Sequence, residues 1–298
     1  MIDHSVNGWL LVDKPSGVTS HDIVQHARRI IPGCRIGHTG TLDPLATGLL
    51  VLCVGNTTRL SEYLVSQPKQ YSAVVRLGQT TTSYDADGDI ISENYVSVDV
   101  AEIKSILPHF LGSIEQVPPI YSAIKIGGTR AYKLARSGKT VKMSSRSVCI
   151  NKLTLIDYCS PDVTLEISCS SGTYVRSLAH DMGQSLECGA HLRDLRRDVV
   201  GPFNLQQAYT LEDIEQAFDS GEIEAILLPS SKAMVGWQEI HCNADAVRKI
   251  QHGNPVKDSG LISANLALAY DLEGELIAVV EGQPESGHWQ PRKVLMYT

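Results

Sequence analysis

Between Gly37 and Gly48 the chain reads GHTGTLDPLATG, a stretch of glycines and threonines whose one carboxylate is Asp43. Gly, Pro and Asp are ordinary turn residues, and an Asp-Pro step in a loop is usually only a turn. The chemical alternative is a nucleophile, because a carboxylate with a reference pKa of about 3.9 is ionised at neutral pH and can attack a substrate carbon. No second acid stands in the same loop. That speaks against glycoside hydrolysis, which normally uses two carboxylates.

Other constellations are weaker. DADGD at Asp85–Asp89 is similar to a calcium loop, but its Gly falls at the fourth position where that loop wants the sixth, so it reads as a turn between strands. Cys188 and His191, in CGAH, are half of a zinc site without a partner pair. No G-x-x-x-x-G-K-[ST] loop, no G-x-G-x-x-G after a strand and no G-x-S-x-G elbow occurs. Neither a metal nor a cofactor is expected. What remains is the lone Asp, several tyrosines and loops containing arginine.

The surroundings bound the class. The chain has 298 residues, 43% apolar and 20% charged, which predicts a globular protein of about two domains at ~150 residues each. Its longest apolar run, LLVLCV at Leu49–Val54, is far short of the ~20 residues that cross a bilayer. The start, MIDHSVNGWLLVDK, lacks the features of a signal peptide, and seven cysteines without a C-x-x-C pair suit a reducing compartment. The expectation is a soluble cytoplasmic protein with no membrane partner. The net charge of −7 hides a basic segment, Lys125–Arg146, with seven Lys or Arg and no acid, and an acidic one, Leu211–Ala225, with six acids and no base. Such a basic run can serve phosphate contact or simply be a solvated face.

The elements that would position these residues can be read coarsely. Gly8–Gly17 is a strand ending in a turn, and a helix follows that Thr19 or Ser20 caps and Pro32-Gly33 stops. Leu49–Val54 reads as a buried strand, Thr58–Ser66 as a helix, Gln70–Gly78 as a strand and Glu102–Leu111 as a helix. AYKLARSG is a short helix, VCINKLTLIDYC and VTLEISCSSG are β-rich, and TYVRSLAHDMGQSLECG is a helix with Val175, Leu178, Ala179 and Met182 on its apolar face. HLRDLRRDVVGPFNL reads as loop and strand, and Thr210 with Asp213 forms a capping box for the acidic helix. Past a boundary near Pro229 come short strands and turns, with a hairpin around Asp271–Gly274. The fold class is α+β, with mostly antiparallel strands, a larger domain over 1–229 and a small β-rich module over 230–298.

Six stretches in order carry a family resemblance: GWLLVDKPSGVTSHDIV, GHTGTLDPLATGLL, PKQYSAVVRLG, VPPIYSAIKIGGTRAYKLARSG, SGTYVRSLAHDMG and CGAHLRDLRRDVVGPF. Together they span about residues 8–205. The chain resembles the bacterial tRNA pseudouridine-55 synthases, and its last module resembles the small RNA-binding PUA domain that ends many of them. In GQTTTSYDADG, Ser83 and Asp87 stand where that family usually has Thr and Glu.

The resemblance implies the pseudouridine synthase fold and isomerisation of uridine 55 in the tRNA T-loop, by flipping the base out of the loop. Asp43 is then the nucleophile and Arg176 its ion-pair partner. Tyr71 and Tyr174 are the active-site tyrosines, Tyr71 stacking on the uracil and serving as the candidate for proton abstraction from carbon. His38 fills the space the base leaves, Leu195 lines the pocket, and Lys14 and Pro15 buttress the catalytic loop. Lys125, Arg130, Lys133, Arg136, Arg193, Arg196 and Arg197 are candidate phosphate contacts, which predicts strong salt dependence. The expected partner is the T-arm of tRNA, bound by a monomer that needs no guide RNA and no protein partner; the chain's length fits the stand-alone bacterial enzymes. The competing function is a tRNA-folding chaperone in which modification is secondary.

Overall fold

The computed structural model describes residues 6–122, 124–137, 142–257 and 262–296. It opens with β1 (Gly8–Lys14), α1 (Ser20–Ile30), β2 (Ile36–His38), β3 (Thr47–Val54), α2 (Ser61–Val65), β4 (Lys69–Leu77), β5 (Gln79–Thr81) and β6 (Ile90–Glu93). Next come α3 (Val100–Ile106), β7 (Gly112–Gln116), β8 (Lys125–Ile126), β9 (Thr129–Arg130), α4 (Ala131–Arg136), β10 (Arg146–Cys159) and β11 (Asp162–Cys169). They are followed by α5 (Val175–Ser185), β12 (Ala190–Val200), β13 (Phe203–Asn204) and α6 (Leu211–Asp219). The tail adds β14 (Gln238–His241), α7 (Ala244–Gln251), β15 (Val256–Lys257), β16 (Leu266–Tyr270), β17 (Leu276–Gln283) and β18 (His288–Val294).

A nine-stranded sheet in the order β1-β3-β12-β4-β11-β10-β7, with β2 beside β3 and β13 beside β12, forms the main body. Only the β3–β12 pairing is parallel. The class is therefore α+β, as the pattern predicts. In β1 and β3 nearly every residue is buried, because alternate side chains serve two different cores. Leu10, Val12, Leu50 and Leu52 face the helices α1, α3 and α5, whereas Trp9, Leu11, Leu49 and Val51 face the C-terminal part.

Helix α1 forms where expected: Thr19 and Asp22 close a reciprocal capping box, and Ile23, Val24, Ala27 and Ile30 fall on one buried face. Burying each of the larger ones contributes roughly 2 kcal/mol. The expected helix at 58–66 begins as a 3-10 turn at Gly55–Leu60 and becomes α only at Ser61, and the one at 102–111 starts two residues earlier and ends in a 3-10 turn. HLRDLRRDVV differs more. It is one continuous strand, β12, because β4 pairs along one edge and β3 touches the other, and that pairing overrides its charged composition. In the tail, NADAVRKIQ is a helix where strands and turns are expected; the Asn243 side chain accepts from the Ala246 N–H, and Ile250 anchors it.

The tail's own sheet has five strands, β14-β16-β17-β18-β15. It rests on the back of the main sheet: Trp9, Leu49, Leu60 and Phe203 share one buried cluster with Met234, Leu268, Val279 and Leu295. Trp9 and Leu228 exchange backbone hydrogen bonds of 2.9 Å each, and the Trp9 indole donates to the Ser230 carbonyl at 2.9 Å.

Candidate active site

The loop carrying Asp43 leaves β2 and enters β3, and it is fastened at almost every step. The Ser20 hydroxyl and Leu42 exchange hydrogen bonds of 2.9 and 2.8 Å, so the first turn of α1 holds the residue before Asp43. Lys14 is fully buried, and its ammonium donates to the carbonyls of Pro15, Val18 and Pro44. The Gly17 N–H reaches the Pro44 carbonyl at 2.8 Å, and the Ser16 hydroxyl reaches that of Leu45 at 3.1 Å. Lys14 thus ties the end of β1 to the Asp43 loop, and Pro15 meets it through its backbone carbonyl. At the far end, Gly48 sits at φ +91°, and a Cβ there would come within 2.5 Å of the Arg197 carbonyl oxygen. Only glycine lets β3 and β12 approach this closely.

Asp43 is met by Arg176 from the first turn of α5. Arg176 Nη2 donates to Asp43 Oδ1 at 3.1 Å, and Nε lies 3.0 Å from Oδ2, close enough for an ion pair but out of line for a hydrogen bond. The same guanidinium donates through Nη1 to Asp85 Oδ2 at 3.2 Å and to the Ser83 carbonyl at 3.3 Å, and through Nη2 to the Tyr121 carbonyl at 2.9 Å. Arg176 and Asp85 are almost completely buried, whereas 32% of the Asp43 side chain remains exposed. One face of that carboxylate is therefore open to a substrate. Protein atoms crowd its other sides, so desolvation pushes its pKa above the ordinary carboxylate value; Arg176 opposes this, and the negative Asp85 and Asp87 add to it.

Asp85 is the residue the sequence did not point to. DADGD does form the turn between β5 and β6, but the turn folds inward. Asp85 accepts from the Ser83 hydroxyl and from the Asp87 N–H, and the segment docks on β12 through a bridge to Leu192. Asp87 is exposed and accepts from the Leu45 N–H of the catalytic loop. No periodicity separates an inward acid from an outward one in so short a turn.

Tyr71 lies on the buried face of β4, its hydroxyl hydrogen-bonded by Arg197, which is its register partner on β12. Burial raises its phenol pKa above the ordinary value, and Arg197 pulls it back. Leu195, 8% exposed, belongs to the same core. His38 is half-buried; its Nδ1 accepts from the Gly40 N–H at 3.3 Å, and burial with the nearby charge of Arg197 lowers its pKa. Tyr174 caps the start of α5. Its backbone is bracketed by the buried Gln116 side chain, at 2.7 and 3.0 Å, and its ring lies 4.6 Å under the Arg146 guanidinium.

The cations divide. Lys125, Arg130 and Lys133 are exposed around the β8–β9 hairpin and α4, and the charge of Arg130 reaches His38. The side chain of Arg136, and residues 138–141 of the basic segment, lie outside the described residues. Arg193 pairs with Asp162 and Asp194, and Arg196 with Asp198. Arg197 is not a surface phosphate contact: it is 2% exposed, and its guanidinium donates to the carbonyls of Leu49 at 2.8 Å and Gly40 at 3.1 Å. Among the described residues no group of three or more His, Cys, Asp or Glu is arranged to hold a metal, and no helix is long and apolar enough to cross a membrane.

Two family models match the chain. The N-terminal domain of the TruB family of pseudouridylate synthases covers residues 28–175, and the tRNA pseudouridylate synthase B C-terminal domain covers 176–235. A tRNA pseudouridine synthase B of Pseudomonas aeruginosa (strain UCBPP-PA14) is 41% identical over 297 residues, which is 99% of this chain and 97% of that one. Its namesake in Pseudomonas putida (strain GB-1) is 39% identical over the same coverage. Among solved structures, a chain of a Cbf5-Nop10-Gar1 complex aligns with a TM-score of 0.75 at 26% identity, covering 99% of this chain and 86% of that one. A chain of an archaeal box H/ACA sRNP Nop10-Cbf5 complex aligns at 0.73 and 25% identity, covering 99% and 88%.

Proposed function

Since the chain belongs to the TruB family of pseudouridylate synthases, we propose that it isomerises uridine to pseudouridine at position 55 in the T-loop of tRNA, with Asp43 as nucleophile. The observation that carries this is the half-open carboxylate of Asp43, tied on one side to the buried Arg176. The reaction breaks the glycosidic N–C bond, turns the uracil and joins its carbon 5 to the ribose, so that one C–C bond replaces one N–C bond, the proton on carbon 5 leaves and the freed ring nitrogen takes one up. No electron is gained or lost. Asp43 holds the reacting fragment while the glycosidic bond is open, and the fixed charge of Arg176 keeps the carboxylate ionised where water is scarce.

Tyr71 stacks on the uracil and takes the proton from carbon 5; the Arg197 charge behind its hydroxyl offsets part of the penalty of forming a buried phenolate. His38, neutral at physiological pH, occupies the place the flipped base leaves, and Tyr174 and Leu195 line the pocket. Lys125, Arg130 and Lys133 hold the backbone of the T-arm, with Arg193 and Arg196 exchanging carboxylate partners for phosphates. Residues 1–229 form the catalytic domain and 230–298 a PUA-like module that binds RNA. The protein works in the cytoplasm as a monomer, without guide RNA.

The test is tritium release from tRNA labelled at carbon 5 of uracil. Wild type is expected to release label and Asp43→Asn to release none while still binding tRNA. Release by both proteins removes Asp43 as nucleophile. Binding without release by wild type moves the chaperone function to the front.

A further inference from the structure

We infer that Tyr84 and His180 are a matched pair of positioning residues that lock the Asp85 turn to the Arg176 helix; the inference rests on the isomerase function proposed above. Their rings stack almost parallel, with centroids 3.9 Å apart and 8° between the planes. Tyr84 immediately precedes Asp85, and His180 follows Arg176 by one turn of α5. The stack therefore joins the two segments that supply the partners of the Asp43–Arg176–Asp85 bridge, next to the bridge itself.

Three further features fit this role. Tyr84 is held at φ +65°, a left-handed conformation that a bulky side chain rarely adopts, so the residue before Asp85 is fixed in a strained geometry. Hydrogen bonds pin it there: its N–H reaches the Thr81 carbonyl, its carbonyl accepts from Leu192 at 2.9 Å, and Ala86 donates back to Leu192 at 3.0 Å. His180 Nδ1 is buried with no hydrogen-bond partner. Among the described residues the buried side of the imidazole is thus met by the Tyr84 face and not by a hydrogen bond to Nδ1. Among the described residues, nothing in the proposed chemistry uses either ring.

The direction of the strain matters. A left-handed residue reverses the chain locally, and here the reversal turns the Asp85 carboxylate inward to Arg176, where an extended residue at position 84 would carry it away. The aromatic face of His180 is the surface against which that reversal is set. Removing either ring frees the turn to relax, so Arg176 loses one anchor and Asp43 drifts from its attacking position.

The experiment measures tritium release and tRNA affinity for Tyr84→Ala, His180→Ala, the double variant, and the ring-preserving Tyr84→Phe and His180→Phe. A slightly misplaced nucleophile slows chemistry without weakening RNA contacts, so each alanine variant should lose about tenfold in kcat with KM within about twofold. The double variant should lose no more than about tenfold, because the second ring has nothing left to stack on. Both phenylalanine variants should stay within about twofold of wild type. Alanine variants at wild-type kcat, or single losses that multiply in the double variant, overturn the pairing. Should an alanine variant fail to fold, Tyr84→Gly relieves the strain while removing the ring. A folded Tyr84→Gly protein with wild-type kcat overturns the inference equally. Failure of wild type itself to release label strikes the isomerase function, an outcome separate from any difference among the variants.

Discussion

Asp85→Asn tests whether the buried triad sets the chemistry of Asp43. The change keeps the shape and removes one charge from a carboxylate that lies 3.2 Å from Arg176 Nη1 with 5% of its side chain exposed. At that distance, with an effective dielectric constant of about 20, the gross Coulomb attraction is about 5 kcal/mol. The amide cannot recover it. Its oxygen is needed by the Ser83 hydroxyl and the Asp87 N–H, which turns its NH2 toward the Arg176 donors. Arg176 keeps Asp43 and the carbonyls of Ser83 and Tyr121, so the loss of stability belongs at the lower end for a broken buried pair, about 3 kcal/mol. At about 2 °C per kcal/mol for a chain of this size, that is a melting point lower by about 6 °C. Activity should fall on the order of a hundredfold, since Arg176, no longer drawn to two sides, shifts toward Asp43 and moves its carboxylate from the attacking position. The sharper reading is pH. Asp85 is among the charges that raise the Asp43 pKa, so its neutralisation, with Arg176 turned fully to Asp43, lowers that pKa. The acid limb of kcat/KM must then move to lower pH than in wild type. An acid limb that stays in place or moves up refutes the reasoning, whatever happens to the rate.

Two further outcomes follow from the same geometry. Tyr71→Phe keeps the ring against the uracil and removes the hydroxyl, so tRNA binding should be retained and release of label from carbon 5 should fall at least about a hundredfold, the usual weight of a general base; full release by the variant would leave Tyr71 as a stacking surface only. Lys69 is buried, donates to the carbonyls of Val65 and Gln67, and has its pKa pulled down to about 8 from 10.5, chiefly by desolvation. Between those values the unfolded chain binds the proton more tightly than the folded one, so this lysine makes stability rise with pH. Denaturant titrations at pH 8 and pH 9 should therefore show wild type gaining about 1 kcal/mol relative to Lys69→Met. A constant difference would place the Lys69 pKa elsewhere.

Much of the fold was legible because it depended on local rules. The Thr19 box starts α1, the Thr210–Asp213 box starts α6, and the apolar run at Leu49–Val54 could only be a buried strand. What could not be read depended on partners distant in sequence. Arg197 looks like its neighbours Arg193 and Arg196, yet alternation turns it to the opposite face from Arg196, and a register shift between Leu192 and Asp194 breaks the phase that would put Arg193 on its side. Asp85 looks like any acid in a turn until Arg176, far along the chain, gives it a buried partner. Gln116 is similar: a polar residue at a strand end whose purpose appears only when the backbone of Tyr174 lies against it. The family resemblance supplied Asp43, Tyr71 and Arg176 as candidates, but the second carboxylate and the arginine behind Tyr71 become visible only in the folded chain.

The contact of Trp9 with Leu228 and Ser230 also has a consequence in time. The indole and the carbonyl it meets are separated by 221 residues, so a ribosome adding about 5–20 residues per second needs on the order of 10–40 s to deliver the second after the first. During that interval β1 can already pair with β3, but its Trp9 face, 0% exposed in the finished protein, still lacks the cover that Met234, Leu268, Val279 and Leu295 supply. The nascent chain therefore carries an incompletely covered tryptophan through much of its synthesis, and the C-terminal segment acts as the last piece that closes the first strand. A transcript truncated before the codon for Leu228 would release a product whose N-terminal strand keeps Leu60, Leu64 and Phe203 against its Trp9 face but lacks the rest of its cover.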